Sequence, residues 1–191
     1  MVASILSISS GASLFLLALV IFALEFVCRI TWYPLYYRVG IPLFSKRYVI
    51  TDNTKTILDT DLLHEATSKG LFTPFTFRQL SLNEYAFVES RAKLGGKPRY
   101  TPIMRGFMRV SPDGSVLTVR GYLYFSVPLI WLIFGGAIFK ILEEMSVFPD
   151  SLVPAILSSL MIAYVVVFLY ILQAWRFNGV GRIAAGIERK L

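Results

Sequence analysis

"SPDGSVLTVRGYLYFSVPLIWLIFGGAIF", Ser111–Phe139, holds in one line the two kinds of structure this chain can build. Ser111-Pro112-Asp113-Gly114 is a hairpin turn between the alternating segments "MRGFMRV" and "SVLTVRGYL". The second of these strands leads without a break into an uncharged apolar run. Read by length, Gly121 to Phe139 comes close to the roughly 20 apolar residues that cross a bilayer as a helix. On that reading the strand stops at Arg120 and a membrane helix follows at once, so the fold turns on where the extended chain ends.

Two further segments match the same length criterion, Ser10 to Ile30 and Leu152 to Trp175. The composition agrees, with 191 residues that are 55% hydrophobic and a mean hydropathy of +0.63. The expected fold class is therefore an α-helical integral membrane protein, with three transmembrane helices and a small α+β cytoplasmic insert between the first and second. The expected division is residues 10–30 for the first helix, 31–45 for an interfacial aromatic and basic segment, and 46–120 for the insert. Residues 121–139 form the second helix, 140–151 a short outer loop, 152–175 the third helix, and 176–191 a basic amphipathic cytoplasmic tail. The first helix has no Lys or Arg before it and no small-x-small cleavage pattern, and so reads as a retained anchor. Gly135-Gly136 would let another helix approach the second one closely.

Nineteen Lys and Arg against twelve Asp and Glu give a net charge of +7. The excess is concentrated: fourteen basic and seven acidic residues lie from Arg29 to Arg120, one and three from Lys140 to Ser151, and four and one after Trp175. By the positive-inside rule this puts the chain in the plasma (inner) membrane with the N-terminus outside, and the insert and C-terminus in the cytoplasm.

"LEFVCRITWYPLYYR", Leu24–Arg38, reads as a membrane border. Glu25 precedes Arg29 by one helical turn in the favourable order for an ion pair. Trp32, Tyr33, Tyr36 and Tyr37 then form an aromatic belt. A carboxylate at such a depth is otherwise a mark of ion transport, which makes a transporter or channel component using Glu25 the rival reading.

Within the insert, "KRYVITDN" reads as a strand and turn, "DTDLLHEATSKG" as a helix with acids in its first turn, and "FTFRQLS" as an alternating strand. "SLNE" spells a capping box, yet the following "YAFVES" fits a strand equally well, and the two readings stay open. From Arg91 to Arg120 there are seven basic residues and one acid, Asp113. Arg91, Lys93, Lys97, Arg99, Arg105, Arg109 and Arg120 are the expected contacts to anionic lipid, each worth about 1 kcal/mol near a charged leaflet. Nucleic acid would call for exposed aromatics interleaved with them, and only Tyr100 and Phe107 are at hand.

Several chemistries are excluded. One cysteine, Cys28, and one histidine, His64, allow neither an internal disulfide nor a Cys/His zinc set. Asp59, Asp61, His64 and Glu65 are the one cluster with acid–base groups, and they read as residues favoured at a helix start, with Asp59 or Thr60 as the cap. The spelling "HEATS" lacks the second histidine of a zincin. "GVGRIA", Gly179–Ala184, spells a dinucleotide loop but follows an apolar helix and leaves no room for a βαβ unit. Its surroundings read as a short interfacial helix bearing Phe177, Val180 and Ile183 on one side. No motif calls for a cofactor or a metal, and none identifies catalytic residues. The function expected is that of a non-enzymatic accessory, assembly or interaction subunit whose basic insert lies against the inner leaflet. Its expected partners are anionic membrane lipids and a membrane protein. A membrane-bound lipid-acting enzyme built on His64 is the third reading.

Overall fold

The computed structural model describes residues 2–50, 60–68, 74–89, 102–144 and 152–186. Along the chain these form α1 (Val2–Ile30), α2 (Pro34–Arg38), β1 (Pro42–Val49), α3 (Thr60–Ser68), β2 (Phe75–Ser81), β3 (Glu84–Glu89), β4 (Met104–Val110), β5 (Val116–Leu123), α4 (Ser126–Glu144) and α5 (Leu152–Ala184).

The expectation of a three-helix, multi-pass membrane fold is overturned. The organising element is one five-stranded antiparallel sheet, ordered β1-β5-β4-β3-β2. Among the described residues one helical stretch, Ile156–Ala184, is long and apolar enough to cross a membrane. The stretch around Gly121 shows why the length count misled. Gly121–Leu123 belong to β5, paired with Phe44, Pro42 and Met104, and the helix starts only at Ser126. With Lys140, Glu143 and Glu144 in its final turns, α4 runs fourteen residues, Ser126 to Phe139, before its first charge, about 21 Å at 1.5 Å each. That falls short of the ~30 Å hydrocarbon layer.

The chain divides into two compact units. The first comprises Met1–Thr31 and Tyr124–Val166, in which α1 packs on α4. The second comprises Trp32–Leu123 and Val167–Leu191, which brings the last part of α5 onto the sheet.

In the second unit, cross-strand pairs share a face and successive residues alternate. The registers therefore assign one face to Tyr48, Leu117, Val119, Met104, Met108, Phe87, Phe75 and Phe77, all of them buried. This is the core, and the final turns of α5 close it. Gly106 and Gly121 sit opposite each other on β4 and β5 and leave a bare patch into which aromatic rings descend. A Cβ on Gly106 would lie 2.2 Å from the Phe87 ring, and one on Gly121 2.9 Å from Phe177. Phe177 packs at 4.8 Å from Phe87 and 5.9 Å from Phe75, centroid to centroid. The C-terminal stripe of Phe177, Val180 and Ala184 is thus buried on the sheet, where an interfacial tail helix had been expected.

Polar groups fix the same docking. The Gln173 side chain accepts from the Ile103 and Met104 amides at 3.0 and 2.8 Å and donates to the Met104 carbonyl at 2.9 Å. It thereby serves as the missing neighbour for β4 beyond the end of its β3 pairing, which stops at Phe87 and Gly106. Arg176 forms a buried ion pair with Glu89 and lies 4.6 Å over the Phe75 ring. One residue further along the same helix from Phe177, Asn178 accepts from Tyr48 and Lys46, both at 2.8 Å.

The hairpin expected at Ser111–Gly114 is formed, joining β4 to β5. The segment left open resolves as strand β3. Leu82 and Asn83 turn between β2 and β3, and the Ser81 hydroxyl donates to the Glu84 carboxylate at 3.1 Å across that turn. "SLNE" is therefore the tip of a hairpin and not the cap of a helix.

Candidate functional site

Glu25 is buried at the side of α4, not on the face of α1 alone. Its carboxylate accepts from the Phe125 amide at 2.8 Å and the Ser126 amide at 2.9 Å, two of the donors that the start of α4 leaves without intrahelical partners. The negative charge also complements the positive end of that helix. Arg29, its expected partner, is half-buried one turn further along α1. Capping α4 gives the Glu25 carboxylate a structural task that the sequence reading did not name.

The aromatic belt does not survive as a belt. Tyr36 and Tyr37 are buried in the sheet unit, while Tyr33 is 52% exposed and Trp32 is half-buried. Trp32 takes a left-handed backbone, φ 53°, held by stacking on Tyr37 at 5.4 Å. The tight turn at Trp32 sends the four neighbouring aromatic side chains to different environments.

Arg105 is the clearest correction among the expected lipid contacts, being fully buried. Its Nε donates to the Tyr36 carbonyl at 2.8 Å, Nη1 to the Leu123 carbonyl at 2.7 Å and Nη2 to the Val39 carbonyl at 2.7 Å. The guanidinium also lies 3.9 Å from the Tyr36 ring centre. It is a rivet joining α2, the chain after it and the end of β5 to β4, with no surface left for a headgroup. Arg91, Lys93, Lys97 and Arg99 lie outside the described residues.

Arg109 and Arg120 are exposed, and the register gives them company that the sequence reading missed. Arg47 pairs with Thr118, Thr118 with Arg109, and Arg109 with Glu84. In the next row, Ser45 pairs with Arg120, Arg120 with Phe107, Phe107 with Ala86, and Ala86 with Arg78. The sheet face opposite α5 thus carries four exposed arginines, Arg47, Arg78, Arg109 and Arg120, from four of the five strands. At about 4.8 Å from strand to strand, Arg47 and Arg109 stand two strands apart, and Arg120 and Arg78 three strands apart with the buried Phe107 and Ala86 between them. Glu84 is the one acid that the strand registers bring to this face, and it is held by Arg38 at 2.6 Å and Arg109 at 3.6 Å. The strand aromatics of the face, Phe107 and Tyr122, are buried and offer no platform for stacking nucleobases.

The acid–histidine cluster has a structural role at His64, whose Nδ1 donates to the Phe75 carbonyl at 2.6 Å and so ties α3 to the start of β2. Leu63 beside it is buried. Asp61 and Glu65 are exposed, and Asp59 lies outside the described residues. Among the described residues no three His, Cys, Asp or Glu side chains converge. "GVGRIA" lies within α5, its Gly181 pressed against the Tyr48 ring. Comparison with protein-family models, with curated proteins and with solved structures gives no match.

Proposed function

We propose that this protein is a non-enzymatic accessory or interaction module, tethered at the cytoplasmic side of the plasma membrane, whose sheet presents its arginine face to anionic lipid. The observation that carries this reading is the four-arginine face with a single acid among its strand residues. At roughly 1 kcal/mol for each Lys or Arg that reaches a charged leaflet, four such groups favour association that no one of them would secure. The apolar stretch of α5 ahead of Gln173 supplies a tether. Leu160, Phe168 and Ile171 are each more than half exposed along it, an apolar surface that lipid would cover.

The test uses full-length protein in nanodiscs of zwitterionic lipid, with or without phosphatidylglycerol, carrying a fluorophore at Thr118 between Arg47 and Arg109 in a Cys28→Ser background. Headgroup-quencher lipid should dim the fluorophore in the anionic discs, and added salt should relieve the quenching because the Debye length is about 8 Å at physiological ionic strength. Equal quenching in both kinds of disc would remove the reading.

A further inference from the structure

We propose that Arg38 and Arg109 form the headgroup-contacting centre of the arginine face, and that Glu84 is an internal anion which the phosphate of an acidic phospholipid displaces. The inference rests on the lipid-apposition reading and names where on the face the contact is made.

Three donors converge on Glu84. Arg38 reaches Oε2 through both Nε at 3.0 Å and Nη2 at 2.6 Å. The Ser81 hydroxyl reaches the same oxygen at 3.1 Å. Arg109 Nε stands 3.6 Å from Oε1, beyond a good hydrogen bond. The carboxylate is the deeper partner: the Glu84 side chain is 13% exposed, against 43% for Arg38 and 68% for Arg109. An anion therefore sits on the floor of a small basin whose cationic walls face outward.

The chemistry of the walls selects the ligand. Guanidinium forks match the oxygens of a phosphate in pairs, in a geometry that an ammonium group cannot reproduce. The basic strand residues of this face are arginines throughout, Lys46 belonging to the α5 side with Tyr48. A phosphate monoester carries more oxygens and more charge than a carboxylate, so it can engage both forks together, whereas Glu84 satisfies Arg38 well and Arg109 poorly. Beside Arg109 in the same cross-strand row lie Thr118 and then Arg47, which extend the field to neighbouring headgroups. A bilayer containing phosphatidate presents such monoesters side by side, within reach of several exposed arginines of one face at once, which is why the occupant is assigned as acidic phospholipid.

The experiment titrates full-length protein in non-ionic detergent with short-chain phosphatidate, with short-chain phosphatidylcholine and inorganic phosphate as separate arms. Phosphatidate should bind and be released by salt, and phosphatidylcholine should not bind. Glu84→Gln should tighten phosphatidate binding about fivefold by freeing both arginines, whereas Arg38→Gln and Arg109→Gln should each weaken it. Thermal unfolding of each variant confirms that it is folded. If Glu84→Gln does not fold, Glu84→Asp replaces it, and its shorter reach to Arg109 should tighten binding by a smaller factor. Binding that is unchanged or weakened in the folded Glu84 variant, with the wild type still binding phosphatidate, overturns the displacement and leaves lipid apposition standing. Inorganic phosphate binding as tightly as phosphatidate overturns the assignment to lipid. A wild type that binds none of the three probes removes the apposition reading itself.

Discussion

Residue type alone does not separate Arg105 from Arg109, four positions apart in the same strand, yet they have opposite roles. Arg105 is enclosed by three backbone carbonyls and an aromatic ring, while Arg109 stands in solvent beside Glu84. Arg105→Met should strand those carbonyls without donors at ~1–3 kcal/mol for each that water cannot reach, a loss large enough to see as a marked fall in thermal unfolding temperature. Arg109→Met should change stability by less than ~1 kcal/mol. Tyr48 gives a second residue-scale test. Burial beneath α5 pushes its phenol up to about 12, partly opposed by the positive charge of Arg182. Because the folded-state value lies above the ordinary 10.0, Tyr48 contributes stability that is fully present below pH 10 and is lost as pH rises toward 12. Ultraviolet titration should show a late-ionising tyrosine that disappears in Tyr48→Phe. Neither role was legible in the sequence. The partners of Arg105 come from α2 and from the far end of β5, and those of Tyr48 from α5, more than a hundred residues away.

The elements were legible to the degree that their two faces differ. "FTFRQLS" alternates, because Phe75 and Phe77 enter the core while Arg78 meets solvent, and it reads directly as β2. "YAFVE" does not alternate, because Tyr85, Ala86, Phe87 and Val88 are all buried; with both faces covered the period-2 signal vanishes and only the register identifies β3. The same loss of contrast hid the end of β5. Gly121, Tyr122 and Leu123 continue into Tyr124 and Phe125 with no charged residue to mark the change from strand to helix, so a count of apolar residues ran straight through it. The Gly106–Gly121 patch was invisible for a different reason, since neither glycine lies in a turn and each matters only through a ring delivered from elsewhere. Gly121→Ala should push Phe177 off its seat. Truncating that ring in Phe177→Ala should cost about 3–5 kcal/mol, and both variants should speed hydrogen exchange in Gln173–Ala184 more than in α3.

For the whole molecule, apolar length was the signal that misled. The excess of Lys and Arg between Arg29 and Arg120 is what motivates the proposal of an anionic partner, and the fold places four of those arginines on one sheet face by alternation and register. Length assigned to a membrane helix Gly121–Leu123, which the fold uses in β5, and amphipathic spacing assigned to an interfacial tail Phe177, Val180 and Ala184, which are buried on the sheet, an equally good way to remove apolar side chains from water. The central claim is that the sheet face opposite α5, and not basic charge in general, meets anionic lipid. Arginine-specific footprinting by phenylglyoxal and mass spectrometry, on full-length protein in nanodiscs with and without phosphatidylglycerol, tests this most directly because it reads each guanidinium separately. The expected result is protection of Arg47, Arg78, Arg109 and Arg120 in the anionic discs, reversed by salt, with the exposed Arg182 on α5 modified equally in both. Uniform protection that includes Arg182, or no protection of the four sheet arginines, would contradict it.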